Sequence, residues 1–332
     1  MRQDSKIYVA GHRGLAGSAI VRQLISKGYH NLLTRTHAEL DLTDLHATRD
    51  FFQSEKPEYV VLAAAKVGGI RANSTYPAEF IHQNLAIQTN VIHEAWQAGI
   101  NHLLFLGSSC IYPRDCPQPI KEDYLLKGPL EPTNRPYALA KITGIEMCWA
   151  YNRQYGTRYI AAMPTNLYGR GDNYDLNNSH VLPALIRKMH EAKLRNDKEV
   201  VVWGTGTPRR EFLYSEDMAN ACIHLMNLSD QDFQRLQSAE HPPLFNVGSG
   251  EDRTILEVAE LIKEVIGYKG EISFDTGKPD GTPRKLMDSS RLMNMGWTPS
   301  VTFPQGIALA YSDYLSSATS PSAVPMASTA AD

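Results

Sequence analysis

Ser108, Tyr137 and Lys141 are the residues whose types and order could do chemistry together. A lysine one helical turn beyond a tyrosine lies on the same face. An ammonium beside a phenol favours the phenolate, which would make Tyr137 a proton donor and acceptor near neutral pH. A hydroxyl, a phenol and an ammonium are the ingredients for polarising and protonating a carbonyl oxygen during hydride transfer. Cys110 follows Ser108 by two residues, and in extended chain two such side chains project the same way. A lone Tyr-x-x-x-Lys spacing is a weak signal, because an aromatic and a lysine so spaced usually mark a core edge and a solvated tip. Its weight depends on the elements that carry it.

The run His102-Leu103-Leu104-Phe105-Leu106 reads as a buried parallel strand ending at Gly107. Ser108 and Cys110 then emerge at its carboxyl end, where open α/β sheets bind ligands. Thr133, Asn134 and Arg135 with Pro136 offer capping residues and a first-turn proline for a helix over 136–155. Upstream, a strand at 6–10 leads into Gly11-His12-Arg13-Gly14-Leu15-Ala16-Gly17 and an amphipathic helix to about residue 27. The spacing is G-x-x-G-x-x-G rather than G-x-G-x-x-G. Its glycines permit a tight turn and close approach to a pyrophosphate resting on the helix N-terminus. The next strand, near 31–34, should end at the adenosine ribose, where NAD enzymes commonly carry an acid. Here stand Thr34-Arg35-Thr36-His37, with Arg13 nearby, so two arginines and no acid predict NADP(H). Asp41 and Leu42 lie where an adenine-contacting pair could sit.

A helix over 43–54, a strand at 59–62 and small residues at 63–70, which would let a flat cofactor lie close, continue the β-α-β rhythm. A long helix over 77–97 is a candidate dimer element. A strand at 159–163 closes with Pro164, Thr165, Asn166, Leu167, Tyr168 and Gly169. This alternation predicts an α/β chain with a Rossmann-type, doubly wound parallel sheet. After Gly169 the pattern changes. A polar loop at 172–179 would let Ser179 cap a helix over 180–192, followed by a strand at 200–204 and a basic turn at 207–212. A helix over 215–228, a strand at 245–248 and a helix over 254–266 precede a second basic loop at 278–285. Its cations, with those of the turn, suit a substrate diphosphate. The expected division is a cofactor-binding domain of 1–169, with about 211–246 returning to it, and a smaller α/β substrate domain of 170–210 and 247–315. The Ser-, Ala- and Pro-rich stretch 316–332 is expected to be disordered.

The chain has 332 residues and a net charge of -3, which argues against a nucleic-acid footprint. Its apolar run at 59–65 is broken by Lys66, far short of the ~20 residues of a membrane span. The start lacks a signal-peptide apolar region. Cys110, Cys116, Cys148 and Cys222 have no metal-like spacing and are too few for a disulfide framework. A soluble, cytoplasmic protein without a metal is expected.

Several blocks in order carry a resemblance: Ala10-Gly11-His12-Arg13-Gly14, Ala64-Ala65-Lys66-Val67-Gly68-Gly69, Leu106-Gly107-Ser108-Ser109-Cys110-Ile111-Tyr112-Pro113 and Pro164-Thr165-Asn166-Leu167-Tyr168-Gly169. Asn178-Ser179-His180-Val181, Val201-Val202-Trp203-Gly204 and Lys278-Pro279-Asp280-Gly281-Thr282-Pro283-Arg284-Lys285 extend it to about residue 315. In these the chain resembles the GDP-L-fucose synthases, epimerase-reductases of the extended short-chain dehydrogenase/reductase family. The resemblance implies that a GDP-bound 4-keto sugar is epimerised at C3 and C5 and then reduced at C4 by NADPH; a homodimer is expected from the long helix over 77–97. It assigns catalysis to Ser108, Cys110, Tyr137, Lys141 and His180, with Cys110 and His180 exchanging protons on opposite faces of the sugar. The expected cofactor set joins the loop Gly11 to Gly17, Arg35, Asp41 and Leu42, read above, to Leu106, Gly107, Ser108, Ser109 and Lys141. Pro164, Thr165, Asn166, Leu167 and His180 complete that set, and Lys188, Trp203, Arg210 and Asp280 meet the GDP-sugar. The chain departs from the family pattern at His37, where some bacterial members have arginine, at Arg135, where glutamate is common, and in the loop at 174–177. A sugar-nucleotide 4,6-dehydratase would need an acidic pair where Cys110-Ile111 stand. A non-catalytic cofactor sensor would lack the Tyr/Lys pair.

Overall fold

Apolar stretches buried on both faces, such as 7–10 and 102–106, commit themselves to the middle of a parallel sheet covered by helices. The structure, a computed structural model, describes residues 1–319 apart from 177, 239 and 279. From the N-terminus, β1 (Ile7–Ala10), α1 (Leu15–Ser26), β2 (Leu32–Leu33), α2 (Leu45–Glu55) and β3 (Tyr59–Leu62) alternate. There follow α3 (Ile70–Thr75), α4 (Pro77–Gln97), β4 (His102–Leu106), α5 (Arg135–Tyr155) and β5 (Arg158–Pro164). The chain then departs through β6 (Asn166–Tyr168), α6 (Val181–Arg195), β7 (Glu199–Trp203) and β8 (Arg209–Tyr214). It returns with α7 (Ser215–Met226), α8 (Asp230–Leu236) and β9 (Leu244–Val247). It departs again through β10 (Asp252–Thr254), α9 (Ile255–Ile266), β11 (Glu271–Asp275), β12 (Arg284–Lys285), α10 (Ser290–Met293) and α11 (Phe303–Thr319).

Six strands pair in the order β2-β1-β3-β4-β5-β9, every pairing parallel. One face of this sheet is covered by α2, α4 and α5 through Phe51, Phe52, Val91 and Ile145. The other is covered by α1, α7 and α8 through Ile20, Leu24, Met218 and Phe233. Burying each such side chain contributes about 1.5–3 kcal/mol. The chain leaves β1 toward β2 on one side and β3 on the other, so the carboxyl ends of β1 and β3 form a switch point, where ligands bind. A second assembly holds β10-β8-β12 with β6 against β8, and a β7–β11 ladder, packed on α6, α9 and α11.

Local chemistry explains several helix ends. Asp44 accepts the N–H groups of His46 and Ala47 at the start of α2, and Thr254 with Glu257 forms a reciprocal capping box on α9. Gly156, at φ +70, ends α5.

Four expectations need correction. Ser109–Ile111 is a 3-10 turn, so Ser108 and Cys110 are not successive outward residues of an extended chain. Ser108 alone keeps an extended backbone, and its hydroxyl accepts the Cys110 N–H at 3.4 Å. Arg209–Tyr214 is a strand rather than a turn, because β6, β10 and β12 arrive from distant parts of the sequence to pair with it. Ser179 is not the cap of α6: His180 occupies that position with no side-chain cap bond, and the Ser179 hydroxyl is buried without a partner among the described residues. Residues 316–319 continue α11, whose Ile307, Ala310 and Tyr314 bury against the second core. The disorder expected for 320–332, and the family positions Asn177 and Pro279, lie outside the described residues.

Candidate active site

The glycine loop is built by close approach. Gly11, at φ +82, leaves room for a Cβ only 2.6 Å from the Ala64 nitrogen, so any other residue would collide with backbone just beyond β3. A Cβ on Gly17 would run into the Gly11 carbonyl. Gly14 stands at the N-cap of α1 with no side-chain cap, and no acid lies in the first turn. The free N–H groups there face the loop with His12, Arg13, Leu15 and Ala16, an anion seat. His12 Nδ1 is buried without a partner among the described residues, as expected of a donor or acceptor in a loop shaped for a ligand.

Past β2, Arg35 donates to Thr34 O at 2.9 Å and pairs with Glu55 at 2.7 Å. Another acid, Glu39, is turned back onto the Thr36 N–H and hydroxyl at 2.7 and 2.8 Å. These bonds hold its carboxyl below the usual carboxylate range, with smaller help from the guanidiniums of Arg35 and Arg13. Both arginines therefore converge on this corner, and the carboxylates of Glu39 and Glu55 are both occupied. Asp41 is likewise turned onto Thr43 N–H and hydroxyl, at 2.9 and 2.7 Å, and Leu42 is buried. These residues fit a dinucleotide carrying a 2′-phosphate.

At the end of β4, Leu106 O accepts the Lys141 ammonium at 2.8 Å, and Gly107 N–H bonds to Ala162 O at 2.9 Å. Lys141 lies 4.8 Å from the Phe105 ring centroid and 5.8 Å from that of Tyr137, and burial brings its pKa down to about 8. Tyr137 packs edge-on against Phe80 at 6.2 Å. Burial pushes its phenol well above the ordinary value, opposed by the neighbouring Ser108 hydroxyl. The lysine is aimed at a backbone carbonyl rather than at the phenol, so Tyr137 keeps its proton at neutral pH. Cys110 and Ser109 are buried in the turn. Burial also pushes the Cys110 thiol up, while Lys285, Ser108 and Lys141, in that order, pull it down. Ser108, Cys110, Tyr137 and Lys141 thus form one cluster. His180 is the N-cap residue of α6, with one side open to solvent and its ring deep enough that burial disfavours the imidazolium.

The end of β5 is locked to the second assembly. Thr165 Oγ1 and Asn166 Nδ2 donate to Glu211 O at 3.2 and 2.9 Å, and Thr165 N–H to Val247 O at 3.0 Å. Pro164 ends β5, and Leu167 packs on the α1–α7 core. Trp203 is exposed, with the ammonium groups of Lys188 and Lys278 at 5.7 and 5.4 Å from its ring. Asp280 accepts Thr205 N–H and hydroxyl at 2.9 and 2.7 Å. Arg210 donates to Arg209 O and Thr282 O at 2.8 and 2.5 Å and is the cross-strand neighbour of Lys285. An exposed aromatic plate between cations, then Arg210, Lys285 and Cys110, form a row suited to a base, a diphosphate and a sugar. Sequence reasoning missed Glu211 and the nearness of Lys285 to Cys110, for which membership of Lys285 in a basic loop was the sole signal.

A doubly wound parallel sheet, a glycine loop at its switch point and a Ser-Tyr-Lys cluster define a nucleotide-cofactor enzyme, and the chain belongs to the NAD dependent epimerase/dehydratase family, which residues 7–248 match. Within it the chain is similar to GDP-L-fucose synthase 1 of Arabidopsis thaliana, 58% identical over 313 residues, 94% of each chain. It is 54% identical over 312 residues to the GDP-L-fucose synthase of Escherichia coli (strain K12), covering 93% of this chain and 96% of that one. The solved structure of a GDP-L-fucose synthetase from Naegleria fowleri bound to NADP superposes with a TM-score of 0.83 at 27% identity, over 96% of each chain. No helix among the described residues is long and apolar enough to cross a membrane.

Proposed function

We propose that the chain converts GDP-4-keto-6-deoxy-D-mannose to GDP-L-fucose by epimerisation at C3 and C5 and NADPH-dependent reduction at C4. The observation that carries this reading is the clustering of Ser108, Cys110, Tyr137 and Lys141 at the end of β4. It occurs in a chain over half identical to enzymes of that name.

The C4 ketone acidifies the protons on its neighbouring carbons, and hydrogen bonds from Ser108 and Tyr137 stabilise the enolate oxygen. Burial leaves the His180 imidazole unprotonated and the Cys110 thiol protonated at neutral pH. His180 takes the proton from one face and Cys110 returns one to the other, first at one carbon and then at the other, with His180 releasing its proton to water and Cys110 taking one from water in between. When bound, NADPH supplies the hydride for C4. Tyr137 gives its phenolic proton to the C4 oxygen, and Lys141 would hold the nicotinamide ribose. Arg13 and Arg35 would hold the cofactor's 2′-phosphate. Trp203, Lys188, Arg210 and Asp280 hold the GDP moiety.

We assign cofactor binding to 1–169 with about 211–246, and substrate binding to 170–210 and 247–315. We further assign a cytoplasmic homodimer paired through α4, whose Trp96 stacks on the half-exposed Tyr155 of α5 at 4.1 Å. Light scattering on the purified protein tests the dimer. Incubation with NADPH and the 4-keto sugar nucleotide, followed by NMR of the product, tests the reaction: GDP-L-fucose supports it, and unaltered or unepimerised sugar overturns it.

A further inference from the structure

Each inversion assigned above breaks the Cys110 S–H bond as a C–H bond forms at the sugar, with the enolate electron pair taking the proton. A thiolate is left behind, and His180 holds the proton removed from the other face. The thiolate is made in a buried turn, where an unpaired charge is costly. Something must stand opposite it.

The segment after β12 is strapped to the loop that follows Cys110. Ile120 N–H donates to Leu286 O at 2.7 Å, Asp288 N–H to Ile120 O at 2.8 Å, and Leu286 N–H to Gln118 Oε1 at 2.8 Å. Ile120 also bridges Met287 in parallel register. From the other side, the fully buried Glu211 carboxylate accepts Met287 N–H at 3.0 Å and Gly250 N–H at 2.8 Å. Along an extended segment Lys285 and Met287 share a face, and Met287 packs in the cluster that contains Ile111 and Tyr112. The strap therefore turns the Lys285 ammonium toward the Cys110 turn. Burial lowers the lysine's proton affinity and the Cys110 sulfur raises it.

We propose that Lys285 is the electrostatic positioning residue of Cys110, stabilising the thiolate formed at each inversion until it is reprotonated for the next. This rests on the epimerase reading of the site. The other groups facing Cys110 are Ser108, Tyr137 and Lys141. Lys141 is already committed to Leu106 O. Lys285 also faces Arg210, Cys116 and Glu131, of which Arg210 opposes its charge and Glu131 supports it.

The test is the pH dependence of iodoacetamide alkylation of the full-length protein without substrate, with the Cys110 peptide quantified by mass spectrometry. Lys285→Met should move the Cys110 midpoint upward by about one pH unit or more, the range expected on losing a nearby opposite charge. Lys285→Arg should bring it back. Cys148 and Cys222, wholly buried where Cys110 is 7% exposed, report folding in the same digest, and Lys285→Gln replaces the Met variant if those thiols become reactive. An unchanged midpoint in the folded Met or Gln variant overturns the proposal. Deuterium wash-in at C3 and C5 should fall more than tenfold in Lys285→Met and recover in Lys285→Arg. A wild-type protein that fails to turn over the 4-keto sugar refutes the epimerase reading alone, since the alkylation midpoints are read without it.

Discussion

Gly11→Ala probes the cofactor seat through geometry alone. The added Cβ would stand 2.6 Å from Ala64 N and 2.8 Å from Ala63 C, both backbone atoms, where ordinary contact begins at 3.4 Å. Relief requires the loop and the strand end to part by about 1 Å, and the φ of +82 adds strain of about 1–2 kcal/mol for a residue with a Cβ. The loop sets the direction of the α1 N–H groups, and a misplacement of ~1 Å in such a site costs about 10²-fold. The expected result is an NADPH Kd raised about 100-fold, near 2.7 kcal/mol, with a folded-state loss of about 1–3 kcal/mol from overpacking. Titration of NADPH fluorescence gives the first quantity and urea unfolding the second. A Kd within threefold of wild type, with unchanged stability, would refute the assignment of this loop to the pyrophosphate.

Tyr137→Phe should abolish C4 reduction while leaving part of the deuterium wash-in at C3 and C5, because Ser108 still polarises the ketone; full reductase activity would remove Tyr137 from the role of acid. Arg35→Ala should weaken NADPH binding about tenfold more than NADH binding, since a charge-assisted hydrogen bond to the 2′-phosphate is worth about 1.5–3 kcal/mol. Equal losses would leave Arg35 as the partner of Glu55 and nothing more. Burial lowers the His180 pKa from its ordinary value of 6.5, so the neutral ring persists as pH falls through that value. The acid limb of wash-in should accordingly lie below pH 6.5, and a limb above it would contradict His180 as the base.

Elements held by their own composition were legible: Tyr59–Leu62, His102–Leu106 and Pro77–Gln97 coincide with apolar runs or a proline-started periodic stretch. What escaped depends on partners far along the chain. Arg209–Tyr214 becomes a strand only because β6, β10 and β12 supply ladders to it. Ser179 has a capping residue's chemistry, but the helix begins one residue too late for it to serve. The ammonium at Lys141 was expected to act on the phenol beside it on the helix. Burial of Tyr137 and the carbonyl of Leu106, neither visible at i, i+4 spacing, decided otherwise. Glu211 sits among basic residues in sequence, and only the fold brings the N–H groups of Gly250 and Met287 to its carboxylate. The candidate catalytic residues were nameable from their types and the family blocks; their protonation states were not, because desolvation is a tertiary property.

The return of the chain to its first sheet bears on how the protein is made. β5 pairs with β9, from Ala161 opposite Leu244 to Pro164 opposite Val247, yet about 80 residues, from β6 through the returning α7 and α8, separate the two strands. At a synthesis rate of about 5–20 residues per second, the outer edge of β5 waits roughly 4–16 s for its partner to emerge from the ribosome. Ala161, Ala162 and Met163, all fully buried in the finished protein, spend that interval on an open apolar strand edge, the kind that pairs with other chains. A nascent chain stalled between β5 and β9 should therefore be the species that aggregates or engages chaperones, and slowing translation within that window should lower yield more than slowing it anywhere before β5.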